Sequence, residues 1–259
     1  MEVQNFNPVW KNNIIKFNHN SNLPNSFRML IVGSSGSGKT YLLLKMLLTP
    51  KFLDYDNLII FSTTINQPEM VLLKTAFDDG LSKEAIIDIF NIQNLYKEKT
   101  ISKIVEIYKN SVDEIGTKIK TLFSTDASKI TLPNNLKPKR AKHLIIFDNV
   151  INNKNQDVMK QYFTRGRHNN CNCIYLSQNF YDLDKNNIRN NSNFFIFFKL
   201  NNRDKESIYR DIFSYSFDKE QFDKLYNDIF NEQYGYIAYN KDSDTVMDNV
   251  FTDCFAEDT

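Results

Sequence analysis

Met29-Leu30-Ile31-Val32-Gly33-Ser34-Ser35-Gly36-Ser37-Gly38-Lys39-Thr40-Tyr41-Leu42-Leu43-Leu44 is the stretch that decides the fold. Four apolar residues in a row predict a strand buried on both faces, the kind found in parallel sheets covered by helices. The octet Gly33 to Thr40 fits G-x-x-x-x-G-K-[ST], and the apolar run Tyr41 to Leu48, which Pro50 ends, predicts a helix. Strand, glycine loop and helix in that order form a phosphate cradle, the Walker A arrangement. Successive backbone N–H groups face a phosphate, Lys39 supplies a point charge to the β and γ oxygens, and the Thr40 hydroxyl is a ligand for Mg2+. The expected cofactors are therefore ATP and Mg2+, with Gly33, Ser34, Ser35, Gly36, Ser37, Gly38, Lys39 and Thr40 binding the nucleotide.

Further apolar runs repeat the buried-strand signature at Leu58 to Phe61, Leu144 to Phe147, Cys173 to Leu176 and Phe194 to Phe198. With helical patterns between them, the class is α/β, doubly wound around a mostly parallel sheet. The run Leu144-Ile145-Ile146-Phe147 ends on Asp148, where a second carboxylate is needed to hold the Mg2+ water shell, so Asp148 is the Walker B candidate. Asn149 follows, where many nucleic-acid ATPases carry Glu. An amide orients water but accepts no proton, so Asn149 leaves the base unassigned. The next apolar strand ends Leu176-Ser177-Gln178, placing an amide that can sense the γ-phosphate beside Asp148. Five of the seven arginines lie between positions 165 and 210, and Arg165 and Arg167 directly precede the Gln178 strand. A guanidinium matches phosphate geometry and can stabilise a transferring phosphoryl group.

The chain has 259 residues with 32 Lys and Arg against 31 Asp and Glu, a net +1 that hides a partition. Residues 127–210 carry 15 basic and 6 acidic side chains, net +9; residues 211–259 carry 3 and 12, net −9. The basic stretch, which includes Lys137, Lys139, Arg140 and Lys142, is a candidate partner for duplex DNA. Its apolar runs fall far short of the ~20 residues a membrane helix needs, so no membrane partner is expected. The opening Met1 to Asn7 has no signal-peptide pattern, and Cys171, Cys173 and Cys254 fit neither a disulfide framework nor a four-ligand zinc site. Without a signal-peptide pattern a reducing compartment is the expected setting, and His19, His143 and His168 stand outside any catalytic or metal constellation.

Domain boundaries follow from pattern changes. Residues 1–27, Asn-rich around Trp10, read as an irregular arm. Residues 28–240 form the ATPase domain, and a helical insertion is expected over about 80–125, where Ile101, Val105, Tyr108, Val112, Ile115, Ile119 and Leu122 alternate spacings of four and three. Two helical stretches, Asp204 to Phe213 and Asp218 to Phe230, precede an expected edge strand, Tyr236 to Tyr239, and residues 241–259 form an acidic tail.

The phosphate loop, the strand ending Phe147-Asp148-Asn149, and the run from Gly166-Arg167-His168 through Ser177-Gln178 to Ile188-Arg189-Asn190 resemble the FtsK/HerA superfamily. Within it they are similar to the poxvirus-type genome-packaging ATPases of large DNA viruses, virophages and Polinton-type elements. That resemblance covers roughly Arg28 to Arg210. It implies a RecA-like (ASCE) P-loop core with the Gln178 strand between the Walker A and Walker B strands. It also implies a homo-oligomeric ring, hexamer or pentamer, that hydrolyses ATP to drive double-stranded viral DNA into a preformed capsid, in a host-cytoplasmic viral factory or the virion. Lys39, Asp148 and Gln178 keep their catalytic roles under the resemblance, while Asn149, a further catalytic candidate, is the departure, since most of the superfamily carries an acidic residue there. Arg167 aligns with the arginine inserted into a neighbour's site, with Arg165 the second choice, and a capsid protein is a further candidate partner.

Two other classes compete. A nucleotide or nucleoside kinase also has an early P-loop, though no acceptor lid is identifiable. An ATP-binding virion-assembly protein with little hydrolysis is motivated by Asn149. A GTPase is disfavoured because Asp148-Asn149-Val150-Ile151 lacks the glycine of D-x-x-G.

Overall fold

The computed structural model describes residues 15–49, 51–67, 70–71, 73–74, 120–126, 130–150, 156–231 and 234–251. Eight strands form one sheet: β1 (Arg28–Val32), β2 (Asn57–Ser62), β3 (Lys120–Ser124), β4 (His143–Asp148), β5 (Cys171–Ser177), β6 (Phe194–Phe198), β7 (Tyr236–Asn240) and β8 (Thr245–Asp248). Their order is β3-β2-β4-β5-β1-β6-β7-β8. The first six in that order run parallel, and β7 and β8 are antiparallel additions. All six carboxyl ends therefore open onto one edge, where ligands of open α/β sheets bind. The fold class read from the sequence is the one observed, and β5 lies between β4 and β1 as the resemblance implies.

Alternation along each strand divides two apolar layers. Met29 and Ile31 of β1 face Leu43, Met46 and Leu47 of helix α1 (Lys39–Leu48) on one side. Leu30 and Val32 face the other, where Met159, Tyr162 and Phe163 of α2 (Gln156–Arg165) share a core with Phe222 and Tyr226 of α4 (Lys219–Ile229). Between β6 and α4, α3 (Asn202–Ile208) continues into a π-helical turn, Tyr209–Phe213. Both β1 and β5 are apolar on both faces because both layers must be covered, which is what continuous apolar runs in the sequence express.

Three sequence expectations change. Tyr236 to Tyr239 is not an edge strand: β8 pairs outside it, and β7 buries Tyr236 and Ala238 in one layer and Ile237 and Tyr239 in the other. β8 escaped notice because Thr245-Val246-Met247-Asp248 is half-exposed and polar at both ends, the composition that suits an edge. The acidic segment from 241 is consequently no simple tail. It contains β8, and fully buried Phe251 packs on Phe52, Phe194 and Tyr236. At the opposite edge, Leu122 of the heptad set sits in β3, paired in parallel with Ile59 of β2, so the expected insertion ends in a strand. The remaining heptad positions lie outside the described residues.

The described part of the expected arm, residues 15–27, forms no regular element. Phe17, Leu23 and Phe27 are buried, and Trp10 lies outside the described residues. His19, expected to have no constellation, is the arm's polar anchor. Its Nδ1 accepts the Asp54 backbone N–H at 3.0 Å, its Nε2 lies 2.9 Å from the Asn172 amide of β5, and its ring stacks on Phe17 at 5.0 Å.

Burial pushes the His19 pKa down to about 4, against the opposing charge of Asp54 and with help from Lys142. The folded imidazole stays neutral while an unfolded one gains a proton below its ordinary value of 6.5. This contribution to stability is thus complete above pH 6.5 and is lost as pH falls towards 4, by up to roughly 3 kcal/mol. Chemical denaturation across that window is expected to show a weaker pH dependence in His19→Gln than in the wild type; an identical slope would remove His19 as its source.

Candidate active site

β1 ends at Val32, and the chain turns at once into the phosphate loop. Gly33 donates its N–H to the Ser177 carbonyl of β5 at 3.1 Å, tying the loop's first residue to the neighbouring strand. A side chain is excluded here, since a Cβ on Gly33 would stand 2.5 Å from Ser37 Oγ and 2.6 Å from Phe198 Cβ. Gly38, at φ +101°, turns the chain into α1 without a side-chain cap. No acidic residue sits in the first turn of α1, so its orphan N–H groups and the positive end of its dipole remain available to an anion.

The Lys39 ammonium donates to the carbonyls of Gly33 at 2.6 Å and Ser34 at 2.8 Å, which holds it beside the loop it serves. Burial lowers its pKa, and the charge of Asp148 acts in the opposite direction. Asp148, 6% exposed at the end of β4, is reached from β2. Register places Ser62 directly opposite it, and Ser62 Oγ donates to its Oδ2 at 2.6 Å while Thr64 Oγ1 donates to the same oxygen at 3.1 Å. Among the described residues, no hydrogen bond is made to Asp148 Oδ1 or by the Thr40 hydroxyl. Two oxygen donors on facing elements, joined by phosphate oxygens, match what Mg2+ prefers.

Asn149 has φ +52°, the left-handed region that Asn adopts more readily than most side chains. Its N–H donates to Leu176 O at 3.2 Å and its carbonyl accepts from Thr63 Oγ1 at 3.1 Å. The backbone conformation is a physical reason for Asn at this position, independent of chemistry. Gln178 follows β5 and is exposed at the same sheet edge.

One cavity of about 400 Å3 joins these groups: Lys39, Thr40, Asp148, Asn149 and Gln178 all line it, with Ser35 to Gly38 of the loop. Arg165 and Arg167 do not. Both are exposed at the amino end of β5, and the seven residues of that strand separate them from Gln178 by about 20 Å. Arg167 Nε contacts only its neighbour His168 Nε2, at 3.4 Å, among the described residues.

Ser62, Thr64 and Gln67, which also border the cavity or its carboxylate, were not singled out in the sequence. Their signal was legible: Ser62-Thr63-Thr64 directly follows a buried strand, and hydroxyls at a parallel strand's carboxyl end face the site. Asp204 is a less visible partner. Buried to 2% exposure, it accepts the N–H groups of Phe180 at 2.9 Å and Tyr181 at 2.8 Å and so anchors the loop that begins with Gln178.

Two variants test this construction. Gly33→Ala is expected to lose nucleotide binding because the clash displaces the loop. Ser62→Ala is expected to keep binding but lower turnover about tenfold, by freeing the Asp148 carboxylate of its shorter hydrogen bond, a loss of about 1 to 2 kcal/mol. Equilibrium nucleotide binding and steady-state phosphate release read the two effects separately; unaltered binding in Gly33→Ala would refute the close approach.

Residues 14–73, which include β1, the phosphate loop, α1 and β2, match the family described as Poxvirus A32 protein. No curated protein matches the chain by sequence. Among solved structures it is similar to the genome packaging NTPase B204 from Sulfolobus turreted icosahedral virus 2. With the complex containing ATP-gammaS it shares 16% identity and a TM-score of 0.51, over 86% of this chain and 96% of that one. For the AMPPCP complex the values are 16% and 0.52, over 87% and 98%. The architecture, with its phosphate loop and the extra strand β5 between β1 and β4, is that of an ASCE P-loop NTPase, similar in fold to viral genome-packaging NTPases.

Proposed function

We propose that the chain is an ATP-driven motor that translocates double-stranded viral DNA into a preformed capsid, acting as a homo-oligomeric ring. The observation that carries this reading is the insertion of β5 between β1 and β4, which brings Gln178 into the cavity that holds Lys39 and Asp148. Among the described residues that line the cavity, none forms a separate acceptor site, which disfavours a kinase. The match of residues 14–73 to the poxvirus A32 family and the fold shared with a packaging NTPase support the same assignment.

In this reading the loop amides and Lys39 bind the β and γ phosphates of ATP, and Ser62 and Thr64 orient Asp148 towards the metal. Mg2+, held by Thr40 and Asp148, would neutralise charge on the phosphates. Gln178 and Asn149 position the attacking water. Arg167 supplies charge to the site of the next subunit, since about 20 Å of strand keeps it from its own; Arg165 is the alternative donor. Lys137, Lys139 and Arg140 are exposed beside the turn that carries Arg167, where the Lys139 carbonyl accepts from Asn170 Nδ2, and offer positive charge to duplex phosphates. Lys142 and Arg189 leave this set. They are committed to Asp54 at 2.5 Å and Asp211 at 2.8 Å.

Asn149 favours a second reading, an assembly protein that binds ATP and hydrolyses it slowly, because Asp148 is the one carboxylate lining the cavity among the described residues. ATP turnover by the assembled protein, with and without long duplex DNA, separates the readings. The motor predicts DNA-stimulated hydrolysis. It also predicts loss of ATP binding in Lys39→Ala and a fall of about 1,000-fold in turnover, with binding retained, in Arg167→Ala. Binding without turnover would favour the assembly protein, and phosphate transfer only to an added nucleoside would favour the kinase.

A further inference from the structure

The loop, Asp148 and Gln178 account for the phosphate end of a nucleotide and leave its base without a contact. Sheet order sets the direction in which the nucleotide lies. β5 and β4, which carry Gln178 and Asp148, stand on one side of β1, so the terminal phosphate of a triphosphate seated on Gly33 to Thr40 points that way. Sugar and base must leave on the other side, over the ends of β6 and β7.

Tyr234 stands there. It precedes β7 by two positions, at the edge where Phe198 ends β6 opposite Tyr236. Its Cδ1 lies 3.5 Å from where a Cβ on Gly38 would be, so the ring borders the loop itself. Phe198 and Tyr236 beside it are buried at 3% and 5% exposure, whereas Tyr234 is 62% exposed. Its backbone is also unusual, with φ +65°. Asn149, Asn170 and Asn249 occupy the same left-handed region at little cost, and Gly235 is adjacent, yet a bulky aromatic holds the strained position. Neither core packing nor turn geometry calls for a tyrosine here. A flat apolar face held open to solvent beside a phosphate loop does suit a purine ring, whose stacking on an aromatic tolerates the small displacements of a working site.

The geometry points to Tyr234 as the platform on which the adenine of ATP stacks, a base-binding residue whose role rests on the nucleotide reading of the phosphate loop. The ring supplies affinity for the base and none for the phosphates.

Titration of the full chain with ATP and with inorganic tripolyphosphate, in the wild type and in Tyr234→Ala, Tyr234→Phe and Tyr234→Asn, tests this. Tyr234→Ala is expected to weaken ATP about 10- to 100-fold and to leave tripolyphosphate affinity unchanged, with Tyr234→Phe near the wild type. Tyr234→Asn relieves the backbone and removes the ring, so it is expected to melt at a higher temperature and yet bind ATP as weakly as Tyr234→Ala. Unchanged ATP affinity in Tyr234→Ala overturns the platform, as does equal weakening of both ligands, which would mark a structural role. A wild type that binds neither ligand overturns the phosphate-loop reading and the platform together.

Discussion

The bond from Gly33 N–H to Ser177 O is the last rung of the β1–β5 ladder and the first constraint on the phosphate loop. Everything at the site is measured from it. Parallel pairing of β1 with β5, and of β5 with β4, fixes how far each strand extends before its functional residue. A one-residue slip of a central strand would exchange its two faces between the apolar layers and move Asp148 or Gln178 by about 3 Å. The aromatic residues of both layers, Phe52, Phe194 and Phe251 in one and Phe147, Tyr162, Tyr175 and Phe195 in the other, therefore do more than supply burial free energy: they hold the register on which the site depends.

Conformation and chemistry are entangled at Asn149. The residue that follows Asp148 leaves β4 in a left-handed turn while its N–H and carbonyl are bound to Leu176 and Thr63. Asn meets that backbone demand at low cost, and its amide still lines the cavity. In the proposed motor, an amide in place of an acidic residue is thus a compromise between a turn and a reaction, and it shifts weight to the groups that hold the carboxylate of Asp148.

The parts legible in the sequence were those in which one physical demand acts locally. Buried parallel strands announce themselves as unbroken apolar runs, and the phosphate loop needs its glycines in a fixed spacing, so Gly33 to Thr40, Asp148 and Gln178 could be placed without coordinates. Features set by distant partners were not legible. β8 and β3 are edges whose sequences are half-polar, and Leu122 completed a helical spacing by coincidence of distance. His19 and Asp204 earn their roles only through residues far along the chain, at Asn172 and Phe180. Tyr234 looks unremarkable until its backbone angle and its approach to Gly38 are known.

Placement of the nucleotide cavity at the carboxyl edge and of Arg167 at the amino edge gives the protomer a polarity. In the proposed motor, where Arg167 serves the site of another copy, that polarity governs how copies meet. In a ring the contact is heterologous and head-to-tail, and such contacts satisfy every subunit only when the series closes on itself. On that reading, the separation of the cavity from Arg167 by one strand's length turns a property of a single sheet into a rule for assembly, in which an open row of copies carries one incomplete site.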